Sequence, residues 1–493
     1  MSKKLGGILA LLGLCALSLF LVNCGSSSSR PAGSLYVLTQ GINGFGTNVS
    51  TFSMDLDTGG LSLVNSNPST CPTAATEQNP APCGLPLDLV LDPTGATAFV
   101  LNQGTPCQQQ GNQCVSGSTS ILPTIFAYTV GSDGSLSAPG SPVYWTCVAP
   151  SLGPCSATST GAYPDTAVHM VRDTAGQFLF VIDQGAFPAP TTCPAIASAA
   201  NTAQDASNFV GCPSISVFSM QPGSTTLTPV SQSSTYQSPL FLSKVPSGIS
   251  PITFSQTTGG SSQEFLFATN NYDLCTIGCL PATTPNDNTL SAYLLSSTGV
   301  LSEQTGSPYT VSEVDPVSVQ AVNTNPAGQI TGGIFVYVGT QGASAGALTE
   351  FQVCTPQVAS CSQQQMTLNQ LIPVTCAQIS CANSAGQNPI AMVVDPTNNF
   401  LYSLAEGSNQ IFAFKINPSS GTLTALAPAN QSTGSQPVSL ALHPSVNNTG
   451  QFLYTSNSNS DNISGFTLGT TSGSMSNAIT VISPATPSGM AVH

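Results

Sequence analysis

Between Asn388 and Pro428 the chain reads NPIAMVVDPTNNFLYSLAEGSNQIFAFKINPSSGTLTALAP, short apolar runs separated by polar clusters. The pattern predicts four strands, Ile390 to Asp395, Phe400 to Ala405, Gln410 to Lys415 and Leu423 to Leu426. Val, Ile, Phe and Tyr fill these runs because β-branched and aromatic side chains suit a pleated surface. The segments between them, Asp395 to Asn398, Glu406 to Asn409 and Asn417 to Gly421, carry the residues that favour turns. A single meander of this kind cannot bury both of its faces. It needs neighbours built like itself.

The chain supplies them. The first half of the unit, a Pro leading to Asp-Pro and then Phe-Leu-Tyr, starts at Pro389 and recurs from Pro86, Ala167, Pro246, Pro316 and Pro437. The second half recurs seven times, from Val49, Ile125, Ile215, Leu290, Leu348, Ile411 and Ile463. One inner strand is therefore missing at the front. It stands at the end as Pro487 to His493, which matches Pro389 to Asp395 position by position, and Leu35 to Leu38 is placed to pair beside it. Such a circular arrangement predicts an all-β ring, a seven-bladed propeller of four-stranded antiparallel blades closed by both chain ends.

Length changes this picture little: 493 residues would suggest about three domains, but the repeats unite residues 34–493 in one ring. The first 23 residues read as a secretion signal, with Lys3 and Lys4 before an apolar core from Ile8 to Val22. That core is short for a membrane span, which needs about 20 residues. The signal ends at Val-Asn-Cys24-Gly-Ser, resembling a bacterial lipobox with Cys24 as the acylated residue and 24–33 as a Ser-rich tether. Gly25 in place of Asp favours the outer membrane or cell surface.

Fourteen further cysteines fall into neighbouring pairs: Cys71/Cys83, Cys107/Cys114, Cys147/Cys155, Cys193/Cys212, Cys275/Cys279, Cys354/Cys361 and Cys376/Cys381. Metal-ligand spacing is missing, so local disulfides of an exported protein are expected, and no metal or cofactor. Six of the seven pairs lie in b–c or d–a connections, where strands a to d run from the axis outward. Both connection types emerge on one face, here called upper. Loops on a rigid scaffold commonly carry recognition, so this braced face is expected to meet a glycan, peptide or protein.

The wording FVYVGTQG from Phe335, FLYTSNSN from Phe452 and NPSSGTL from Asn417 resembles the lactonase-type seven-bladed propellers and the related YVTN-repeat proteins, over essentially residues 34–493. The resemblance implies the fold and, among family enzymes, lactone chemistry such as that of 6-phosphogluconolactonase, with His, Arg and acidic groups around the central opening. Here His169 is the histidine at the upper start of an inner strand, with Asp88 and Asp183 as assisting acids; Arg172 falls on the opposite sheet face. Lys244 and Glu406 are upper-face candidates for ligand contact. His443 and His493 align with the Asp of the Asp-Pro turns and are expected to serve there.

Charge restricts the substrate. Only 5% of residues are charged, against about 25% in an average domain. Beyond the signal, Arg30, Arg172, Lys244 and Lys415 face 20 acidic residues. A phosphorylated sugar wants several cations, and nucleic acid wants phosphate neutralisation; both are disfavoured. Other motifs dissolve. Gly342 to Gly346 fits G-x-S-x-G around Ser344 but joins two strands rather than a strand and a helix. Asp55 to Gly60 resembles a calcium loop but occupies a c–d turn. The polar residues closing strand b, Gln40, Gln103, Gln184, Gln341 and Glu406, recur so often that a shared structural hydrogen bond is expected. Three functions stay open: a monomeric partner-binding module, a lactonase-like hydrolase, or an architectural envelope protein.

Overall fold

The structure, a computed structural model, describes residues 33–41, 48–64, 69–70, 84–103, 109–110, 113–114, 123–143, 167–184, 213–232, 240–242, 244–255, 262–271, 288–304, 306–324, 333–341, 346–353, 368–370, 385–444, 450–483 and 485–493. Among them there is no helix. Seven antiparallel sheets follow one another, and a separate two-stranded hairpin, Gln109–Gln110 with Gln113–Cys114, stands apart from them.

Each sheet is a blade, numbered here by its inner strand: Leu85–Leu91, Ala167–Arg172, Pro246–Ser255, Pro316–Asn323, Pro389–Val394, Pro437–His443 and Pro487–Val492 open blades 1 to 7. Blade 5 continues as Phe400–Ala405, Gln410–Ile416 and Leu423–Ser432, so its last strand runs six residues beyond the expected Leu426. Blade 1 departs most from the plan. It has three strands, and its outer position is marked only by bridges Val130–Leu136 and Ile125–Val143.

Blade 7 joins the chain ends. Pro487–Val492 pairs with Ser34–Thr39, Val37 facing Met490 and Leu35 facing Val492. Ser34 and His493 exchange both backbone hydrogen bonds at 3.2 and 2.9 Å. Asn48–Met54 and Leu61–Leu63 complete the sheet.

The core lies between blades. Phe400, Tyr402 and Ile411 of blade 5, for example, pack on Leu440, Leu453 and Phe466 of blade 6. A buried tyrosine of strand b adds a polar latch by donating to a glycine carbonyl in the next blade's c–d turn. Tyr337 reaches Gly421 at 2.7 Å, Tyr402 reaches Gly473 at 2.8 Å, Tyr454 reaches Gly59 at 2.8 Å and Tyr36 reaches Gly134 at 2.9 Å. Gly421 has φ 72°, and a Cβ there would lie 2.2 Å from Phe335. Conformation and space both demand glycine.

The turns explain the recurring acids. Asp395 Oδ1 accepts the amides of Asn399 and Phe400 at 2.8 and 2.7 Å, and Asp173 Oδ1 accepts those of Gln177 and Phe178 at 2.6 and 2.9 Å. Asp55 Oδ1 takes the amides of Asp57 and Thr58 at 2.9 and 3.1 Å, as Asn417 Oδ1 takes those of Ser419 and Ser420 at 3.0 and 3.3 Å. The Asp55 loop is a turn.

Candidate functional site in the central channel

Every inner strand carries a β-bulge near its start, just after its first residue in six blades and after its second in blade 1. In blade 1, for instance, Pro86 faces Asn102 and Asp88 faces Leu101, leaving Leu87 between them. The same shift occurs in the other six blades. It puts one residue per blade at a common level around the axis: Asp88, His169, Gly248, Ser318, Ala391, Ser439 and Gly489. All seven line a central cavity of about 520 Å³.

Two of these positions carry chemistry, and they are adjacent. His169 Nδ1 lies 2.5 Å from Asp88 Oδ2, with the side chains 42% and 15% exposed. The same Asp88 oxygen accepts the Met170 amide at 2.9 Å, and Oδ1 accepts the Leu89 amide at 2.9 Å. The carboxylate is therefore fixed by two backbone donors before it meets the imidazole. Burial in the channel wall disfavours a charged ring, yet the Asp88 charge and hydrogen bond outweigh it and hold His169 above the usual histidine value. With Nδ1 committed to Asp88, Nε2 is the nitrogen left to act as a base.

Asp88 also has a structural duty. Ser439 Oγ accepts the Met490 amide at 3.1 Å, the same relation between blades 6 and 7. Two side chains at this level, Asp88 and Ser439, thus cap the free edge of the following inner strand. Asp88 does so and orients His169 as well.

The remaining predicted residues lie elsewhere. Asp183 is fully buried in strand b of blade 2, opposite Ala167 and Ser214, and does not line the cavity. Lys244 is half-buried just before the inner strand of blade 3 and is likewise outside the lining. Glu406 accepts Asn388 Nδ2 at 2.6 Å and Gln436 Nε2 at 3.3 Å, tying blade 5 to blade 6. Gln40, Gln184 and Gln341 make similar ties to Pro86, Pro246 and Asn388 at 3.2, 3.2 and 2.7 Å. Arg172 donates to the Asp173 carbonyl at 3.2 Å.

His443 is buried against Phe452, and burial, then the neighbouring His493, push its pKa down. Of the paired cysteines, only Cys114 falls among the described residues, in the backbone of the short hairpin. Cys71, Cys83, Cys107, Cys147, Cys155, Cys193, Cys212, Cys275, Cys279, Cys354, Cys361, Cys376 and Cys381 lie outside them, as do Cys24 and Ser344.

Sequence reasoning missed the serine staples. Ser247, Ser318 and Ser488 donate to the carbonyls of Pro316, Pro389 and Pro86 at 2.6, 2.5 and 2.9 Å, each crossing to the next blade. A Ser one or two places after the strand-opening Pro was the available signal. Two acids were also missed. Glu264, burial-shifted and near Asp173, and Glu350, burial-shifted at the blade 4–5 seam, are both pushed up to about 7. Among the described residues, no cluster of three His, Cys, Asp or Glu is arranged to hold a metal ion.

Residues 348–492 match the family model described as "Lactonase, 7-bladed beta-propeller". The fold is that of a lactonase-type propeller. A candidate 6-phosphogluconolactonase from Bacteroides fragilis is similar at 14% identity and TM-score 0.55, covering 95% of this chain and 99% of its own. The periplasmic gluconolactonase of Pseudomonas aeruginosa is similar at 18% identity and TM-score 0.51, over 93% of this chain and 98% of its own. A Lactobacillus plantarum protein reaches TM-score 0.52 at 15% identity, over 94% and 99%. No protein of curated function matches. At these identities the chain shares its fold with these neighbours, and its chemistry has to be argued from its own channel.

Proposed function

We propose that the central channel hydrolyses an unphosphorylated sugar lactone, with His169 as general base and Asp88 as its positioning partner. The observation that carries this reading is the 2.5 Å His169–Asp88 contact inside a cavity of about 520 Å³. Water placed at Nε2 attacks the lactone carbonyl carbon while the imidazole takes its proton. The ring C–O bond then breaks, and the leaving oxygen recovers that proton, giving a hydroxy acid. Among the described residues neither Lys nor Arg lines the cavity, so a phosphate group meets no cationic partner among them. The gluconolactonase named among the structural neighbours acts as a guide to substrate class.

The test is turnover of glucono-1,5-lactone and its 6-phospho form, corrected for spontaneous opening. The unphosphorylated lactone should be preferred, and His169→Ala should lower kcat by roughly 10²-fold or more. Wild-type protein that adds nothing to the spontaneous rate, or a fully active variant, removes the proposal.

A second reading rests on the sequence: six of the seven cysteine pairs fall in upper-face connections. In it the propeller is an exported monomer, anchored to the envelope by a lipid on Cys24, and meets a glycan or protein partner on that face. Palmitate labelling lost in Cys24→Ala would support the anchor. Partner binding that survives reduction of the disulfides would count against a braced face.

A further inference from the structure

A base alone leaves the lactone carbonyl unpolarised, and among the described residues the channel wall offers no Lys, Arg or metal-binding cluster for that role. The backbone does. In blade 5 the Asp395 amide bonds the Phe400 carbonyl at 3.0 Å, which sets the ladder phase: Val393 and Ala391 bond strand b, while the Met392 amide turns inward. The equivalent contacts of Thr324 with Gly333 in blade 4 (3.0 Å) and of His493 with Ser34 in blade 7 (2.9 Å) set the same phase. Blade 3 confirms it chemically. Pro251 sits mid-strand two residues after Ile249, tolerated where the missing N–H would face the channel.

The inward amides at the level just below His169 divide into two groups. Those of Leu89 and Met170 are taken by Asp88 at 2.9 Å each, and that of Met490 by Ser439 at 3.1 Å. Those of Ile249, Val319, Met392 and Leu440, from four consecutive blades, meet no protein acceptor among the described residues. The side chains that would cap them are His169, already committed to Asp88; Gly248; Ser318, committed to Pro389; and Ala391. The open arc begins at the blade next to His169.

Resting on the lactonase reading, we infer that this arc of backbone amides is the electrophilic half of the site. Ile249 and Val319, nearest His169 in ring order, donate to the lactone carbonyl oxygen and hold it as it becomes the oxyanion of the tetrahedral intermediate. Met392 and Leu440, farther round, donate to the substrate's ring substituents and to the carboxylate of the hydroxy-acid product. An acceptor-rich, uncharged ligand is thereby selected without any arginine.

The experiment replaces single peptide amides by esters, which deletes one N–H and leaves the side chain in place. Ester bonds at 249 or 319 should lower kcat/KM for glucono-1,5-lactone by roughly 10²-fold. Those at 392 or 440 should raise KM about tenfold, and an ester at 394, lower in the channel, should change neither. Ala391→Ser supplies an independent test, because its hydroxyl would cap Leu440 as Ser439 caps Met490, raising KM alike. Full activity in the 249 and 319 esters, with His169→Ala inactive, overturns the arc and leaves the proposed reaction standing. If the wild-type chain opens no lactone but binds gluconate, and the esters weaken that binding, the arc survives while the catalytic reading falls. Gluconate binding unaffected by any ester overturns it too.

Discussion

Blades 4 to 7 and blades 1 to 3 follow one plan with different fidelity. In the first group every strand b carries a tyrosine whose hydroxyl latches the following blade, through Tyr337, Tyr402, Tyr454 and Tyr36. In the second the matching residues are Phe99, Phe180 and Phe267, which have no hydroxyl to give. The family match, 348–492, falls wholly on the regular side. The histidine and its acid sit on the irregular side, on blades 1 and 2. Regular repetition builds the ring; its exceptions place the histidine beside its acid.

The contrast can be broken first at the c–d turn glycines. Gly421→Ala combines φ 72° with a Cβ 2.2 Å from Phe335, and should cost more than about 3 kcal/mol or prevent folding. Gly223→Ala, in blade 2, shares the positive φ (74°) but would meet nothing within 4 Å, so about 1 kcal/mol is expected. Equal losses in denaturant melts would erase the distinction between these two turns.

Next is the dyad. Asp88→Asn keeps the shape but removes the charge that raises His169, so kcat should fall roughly 10²-fold or more. The lower limb of the pH profile should also move toward acid, because the imidazole then loses its proton at a lower pH. A limb that stays in place would mean Asp88 does not govern His169.

pH provides a third comparison. Glu350 is buried and titrates at about 7 in the fold, against 4.5 ordinarily. Its protonated form is favoured on folding, so stability is highest below about 4.5 and is lost as pH rises to about 7. The upper bound for this group is about 3 kcal/mol. Glu264 and Asp173, also raised, act in the same direction. Melting temperature should fall between pH 5 and pH 8, and Glu350→Gln should flatten that slope. The smallest effect belongs to the latch itself: Tyr402→Phe should cost about 1 kcal/mol, and no more than twice that.

Much of the ring was legible in the residues, because alternation, Asp-Pro turns and a displaced seventh inner strand leave few other ways to satisfy seven meanders. Asn417 and Asp55 could be equated before any contact was known. The site was only half legible. Alignment put Asp88 and His169 at the same level of neighbouring blades, but adjacency around a ring says nothing about a 2.5 Å contact. Asp183 looked equally eligible, and only the pairing shows it buried behind the wall. The inward amides carry no sequence signature, since they depend on ladder phase rather than residue type. Blade 1's weak outer strand and the longer final strand of blade 5 reflect edge pairing, which propensity does not decide.

The seam in blade 7 has a consequence for biogenesis. A chain emerging from its N-terminus presents Ser34–Thr39 early, yet that strand acquires its inner neighbour only when Pro487–Val492 arrives. Six blades can assemble meanwhile, but the circle stays an open arc with a sticky flank. Closure thus waits for Pro487–Val492, and a chain clipped ahead of that strand would be left unsealed, an easy mark for proteases.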